Sequence, residues 1–118
     1  MNHTRLFLLF ILLSFDTLSD CLDDAYTTID MSNCYTAELK MEEQRLGMTL
    51  NEAYNESNWI AKEIKDSQIA WVQYREAHCK AVYSYYEKGT MRFIAHPSCM
   101  IELTKKRQQE IYINFAGD

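Results

Sequence analysis

The chain has 118 residues, 17 Asp and Glu against 12 Lys and Arg, a formal net charge of −5 and four cysteines. That length fits one domain with a modest core. The acidic balance, with no basic stripe, argues against nucleic acid as a partner.

The first stretch stands apart from the rest. Arg5 and the terminal amine precede Leu6-Phe-Leu-Leu-Phe-Ile-Leu-Leu13, an unbroken apolar run. A bilayer span takes about 20 residues, so the run is too short to cross one. A basic start, a short apolar core and small polar residues after it make a secretory signal peptide over residues 1–19. Thr17 and Ser19 are small at the two positions a signal peptidase reads, which places cleavage after Ser19. A retained anchor would need the apolar core to continue past Leu13. Lipid attachment at Cys21 would want a small residue where Asp20 stands, and would leave an odd thiol. The expectation is a periplasmic or secreted domain over residues 20–118, with no stable membrane insertion after cleavage.

Export gives the cysteines their meaning. Cys21, Cys34, Cys79 and Cys99 are an even set, and an oxidising compartment makes two disulfides of them. Four cysteines permit three pairings. Cys21–Cys34 and Cys79–Cys99 are favoured, because each closes a short loop between a coil and a neighbouring helix.

The polar segment from Asp20 to Asp30 reads as an extended arm or short turn pinned by Cys21, with Asp30 or Ser32 capping the next helix. From about Asn33 to Tyr54, Leu39, Leu46, Leu50 and Ala53 recur at helical spacing while Glu and Lys fill the other faces. Gly47 weakens that helix without ending it. Asn55-Glu-Ser-Asn58 is a polar break and the turn of a hairpin. A second helix runs from about Asn58 to Glu87 and stops at Lys88-Gly-Thr90, with Gly89 as the expected left-handed residue. Thr90 to Pro97 reads as a packed connector. Ser98 caps a last helix to Phe115. The fold class is all-α: a small up-down-up three-helix domain with two disulfides.

The second helix holds the most informative stripe. Trp71, Arg75 and Cys79 stand at steps of four and stack along one face. An aromatic anchor, a forked cation and a thiol describe a helix that others are built against. No nucleophile–base pair falls on that stripe, and no carboxylate pair stands out as acid and base, so the chain does not read as an enzyme. His78-Cys79 and His96-Pro-Ser-Cys99 offer zinc-type ligands, but adjacent His78 and Cys79 point to different helix faces. No metal or cofactor is expected. Tyr74, Tyr83, Tyr85 and Tyr86 crowd one helix and Tyr112 another; by helical phase Tyr85 is the more exposed. Asn55-Glu-Ser57 is a glycosylation triplet that matters only in a eukaryotic secretory route.

Leu50-Asn51-x-x-Tyr54, Gln68-x-x-Trp71-x-x-Tyr74-Arg75-x-x-x-Cys79, Cys99 and Thr104-x-x-Arg107 resemble the LprI-type lysozyme-inhibitor family of exported bacterial proteins. Cys21 and Cys34, with Met31 three before Cys34, are similar to that family's start. The segment between Tyr54 and Gln68 is shorter than usual, and Glu76 replaces a common Asp. The resemblance implies a small helical envelope protein whose partner is lysozyme or a related muramidase. No inhibitory residues carry over with it. Asn51, Gln68, Arg75, Thr104 and Arg107 read first as scaffold, polar groups that cross-link helices through hydrogen bonds. An acidic inhibitor would be steered to a cationic lysozyme and would occlude its cleft. The alternative is an immunity or accessory protein that binds a different envelope enzyme.

Overall fold

The computed structural model describes residues 18–117, and the signal-peptide reading of the first seventeen residues lies outside them. Among the described residues four α-helices follow one another: α1 (Leu18–Asp23), α2 (Thr28–Glu56), α3 (Ala61–Tyr85) and α4 (Arg92–Ile111). A 3-10 turn, Asn58–Ile60, joins α2 to α3, and a π turn, Tyr112–Ala116, follows α4. The described residues contain no strand, and none of their helices is long and apolar enough to cross a membrane.

The three-helix expectation needs correction. The arm before α2 is itself partly helical, so α1 is a fourth helix. Its first two residues, Leu18 and Ser19, belong to the stretch assigned to the signal peptide. The long helices also do not close into a bundle. α4 packs along both α2 and α3, which touch each other little. The molecule measures 53 × 44 × 14 Å, one helix layer deep.

The cap of α2 also differs from expectation. Neither Asp30 nor Ser32 is the cap; Thr27 is, and its hydroxyl accepts the Asp30 N–H at 3.0 Å. The Asp30 carboxylate reaches back to accept the N–H groups of Tyr26 at 3.2 Å and Thr27 at 3.1 Å. Thr-x-x-Asp is thus a capping box that starts the helix five residues earlier than apolar spacing alone indicates. These bonds hold the Asp30 carboxyl below its ordinary pKa, the Tyr26 amide foremost.

α2 ends where expected, at the polar break: Ser57 closes it, its N–H donating to the Ala53 carbonyl at 2.8 Å. α3 ends at Tyr85 in successive turns, and no glycine among the described residues has positive φ, so Gly89 does not act as a left-handed stop.

The connector Thr90–Pro97 is mostly helix, since α4 begins at Arg92 and runs through Pro97. Proline lacks the N–H for one helical bond, which costs stability and favours a break there. Packing overrides that cost. Pro97 is buried, Tyr83 meets the rings of Phe93 and His96 at 6.3 and 6.0 Å, and Cys99 is cross-linked two residues on.

The core sits where α2, α3 and the end of α4 converge. Leu46, Ala53, Ile64, Ile111 and Ala116 form it, with Leu50, Tyr54, Ile60, Trp71 and Phe115 packed around them. At this end the Ser57 hydroxyl donates to the Phe115 carbonyl at 2.8 Å, fixing the hairpin turn to the chain's last turn. The other end is held by sulfur. Cys21 is bonded to Cys34 and Cys79 to Cys99, at sequence separations of 13 and 20. For loops of this size each bond is worth about 3 kcal/mol by chain entropy, a large share for so thin a core.

Candidate functional site

The stripe on α3 faces α4. Cys79 is fully buried and Arg75 is 7 % exposed. A buried guanidinium is costly unless its N–H groups find acceptors. Arg75 donates from Nη1 to the Thr104 hydroxyl and from Nη2 to Glu76, both at 3.0 Å, and Glu43 of α2 stands 3.8 Å from Nη1. Its Nε is buried without a partner. Thr104 passes the connection on by donating to the Met100 carbonyl at 2.6 Å.

One turn further along α4, Arg107 repeats the arrangement. It donates from Nε to Gln68 at 3.0 Å and from Nη2 to the Ser67 hydroxyl at 2.8 Å, and it pairs with Glu110. Trp71 lies between the two arginines. The Arg75 Cζ is 5.0 Å and the Arg107 Cζ 5.9 Å from its ring centre. Two cations on one indole would repel each other unaided; Glu43, Glu76 and Glu110 supply the compensating charge. Above this column lies an open groove of about 170 Å³, lined by Glu43, Leu46, Gly47 and Leu50 of α2 and Gln68, Trp71, Val72 and Arg75 of α3.

The motif residues therefore separate. Gln68, Trp71, Arg75, Thr104 and Arg107 form one connected network between α3 and α4. Leu50 and Tyr54 pack against the core, and the Lys65 ammonium sits 5.2 Å from the Tyr54 ring centre. Asn51 is exposed on α2, and its side chain has no hydrogen bond among the described residues. It takes no part in the cross-links expected of it, because its phase turns it away from α4. Tyr74 is 53 % exposed and stacks on His78 at 5.5 Å. Tyr85 is 82 % exposed, as helical phase indicates.

Ser67, Glu43 and Glu110 complete the network and were not singled out from the sequence. Serine and glutamate on helix faces are too common to mark themselves. Cys79 and Cys99 are bonded to each other, so their sulfurs serve as a brace and not as metal ligands. Among the described residues no group of three or more His, Cys, Asp or Glu could hold a metal ion.

A network of this kind ties helices together, and the same stretch of chain is what a family model recognises. The model for the lysozyme inhibitor LprI matches residues 19–111. The chain belongs to the LprI family. The match takes in α1 from Ser19 onward, α2, α3 and α4, both disulfides and the whole arginine–tryptophan column. No curated protein and no solved structure matches this LprI-family chain.

Proposed function

We propose that this protein is an exported inhibitor of lysozyme or a related muramidase, acting by occluding the enzyme's cleft and performing no reaction itself. Membership of the LprI family carries the reading. Two disulfides and a one-layer core support an oxidising compartment outside the cytoplasm. The formal charge of −5 supports steering toward a cationic enzyme. The arginine–tryptophan column is scaffold in this reading: its donors point between helices and set their spacing, leaving the outer faces for contact.

The test is a cell-wall turbidity assay with purified protein lacking residues 1–19. Inhibition that weakens as salt rises is expected. Absence of inhibition at tens of micromolar, together with absence of a complex on a sizing column at low salt, overturns the proposal.

A further inference from the structure

Charge is divided unequally between the arms of this flat molecule. From Leu18 to Ser57 the chain carries nine carboxylates against two cations, a balance of −7. From Asn58 to Gly117 it carries nine cations against six carboxylates, a balance of +3. The negative field is thus concentrated on α1 and α2. Part of it is spent internally, where Glu42 pairs with Arg45, Glu38 approaches Lys105 at 3.9 Å and Asp30 serves the capping box. Asp23 and Asp24, at the corner between α1 and α2, are exposed and have no ion-pair partner among the described residues.

The same corner presents the most exposed large apolar side chain of the described residues. Tyr26 is 89 % exposed, and Ile29 beside it is 71 % exposed. Burying such groups on a partner is favourable, and an aromatic with carboxylates around it matches the hot-spot-and-rim pattern of protein interfaces.

The corner is also stiff. The Cys21–Cys34 bond ties α1 to α2 across it. The Asp24 N–H donates to the Cys21 carbonyl at 3.3 Å and the Ala25 N–H to the Leu22 carbonyl at 3.1 Å. The capping box then holds the amides of Tyr26 and Thr27. A contact loop already ordered in the free protein loses little conformational freedom on docking.

We propose that the α1–α2 corner is the part of the molecule that enters the target's cleft. Tyr26 and Ile29 fill an apolar pocket, and Asp23 and Asp24 face the basic rim of a cationic enzyme. This rests on the lysozyme reading above and names its contact surface. The rival surface is the α3–α4 end, where Tyr85, Tyr86, Met91 and Phe93 are exposed. There Lys88 and Arg92 outnumber Glu87, so that end offers no net negative field to select a basic partner.

The experiment measures binding and inhibition of a basic lysozyme by the wild-type protein and by Tyr26→Ala, Ile29→Ser, the double variant Asp23→Asn/Asp24→Asn, and Tyr85→Ala. All these positions are exposed, and circular dichroism checks that each variant is folded. Tyr26→Ala is expected to weaken binding by about 30-fold or more, the scale of a hot spot. The Asp double variant is expected to slow association several-fold and to flatten its salt dependence. Tyr85→Ala is expected to stay within about 2-fold of wild type, as interface-remote positions do. If wild type binds and Tyr26→Ala and Ile29→Ser bind equally well, or if Tyr85→Ala alone abolishes binding, the corner is not the contact and the inhibitor reading survives. If wild type itself does not bind, the inhibitor reading fails and this inference falls with it.

Discussion

Arg75 and Thr104 are both buried, stand on different helices and are joined by a hydrogen bond of 3.0 Å from Nη1 to the threonine hydroxyl. Thr104 is fully shielded from solvent, so no water replaces it as an acceptor. Replacing it by valine keeps the shape and strands a buried guanidinium N–H. The expected loss is about 1.5–3 kcal/mol in urea unfolding, the range for a hydrogen bond to a charged group. Arg75→Met with Thr104→Val should cost less than the sum of the single changes, since the stranded donor is then gone. Strict additivity would show that the pair is not coupled.

Gly47 lies in the interior of α2, and a methyl group built at its Cα meets nothing within 4 Å. Gly47→Ala should therefore stabilise the protein by about 0.5–1 kcal/mol, by restricting the unfolded chain and favouring the helix. Thermal unfolding is the measurement. A destabilised variant would mean that the groove beside Gly47 closes in solution.

The two disulfides should behave unequally. Cys79 is wholly buried between α3 and α4, while the Cys21 bridge holds α1, a helix with no buried residue. Replacing both Cys79 and Cys99 by alanine should lower stability by about 3 kcal/mol and loosen the whole layer. Replacing both Cys21 and Cys34 should free α1 with a smaller effect on the melting of α2–α4. Hydrogen exchange resolves the two cases, because the second should raise exchange near Asp24–Asp30 and leave the amides around Ile64 and Ile111 protected.

The capping box makes the start of α2 sensitive to acid. Asp30 has its pKa lowered in the fold from 3.8 by the amide of Tyr26 and by Thr27. A depressed carboxyl stabilises the fold fully above its ordinary value, and that contribution is lost as pH falls through the lower, folded value. The Tyr26 and Thr27 amide resonances should shift together below pH 3.8, and Asp30→Ala should remove that titration. An Asp30 carboxyl that titrates above 3.8 would contradict the box.

Local rules already present in the chain account for much of this molecule. The all-helical class follows from apolar residues at steps of three and four, and the break at Asn55–Asn58 from four polar residues in a row. Trp71, Arg75 and Cys79 could be placed on one inward face by counting alone. The two short-loop cysteine pairs, Cys21–Cys34 and Cys79–Cys99, are the ones the structure joins. Asp30 and Ser32 both suit a helix start by residue type, and only the folded backbone makes Thr27 the cap, with Asp30 closing the box.

What tertiary structure decided is where local preference met packing. Proline argues for a break before Ser98, yet α4 runs through Pro97, because burial of Pro97 and the Tyr83 ring contacts outweigh one missing hydrogen bond. Asn51 and Thr104 look alike as motif polar residues; helix phase leaves Asn51 exposed on α2 and turns Thr104 of α4 inward to Arg75 of α3. The flat layer, with α4 between α2 and α3, also lies beyond any single helix's periodicity. Each helix shows which of its faces is apolar, but which partner that face meets depends on the joint packing of all of them.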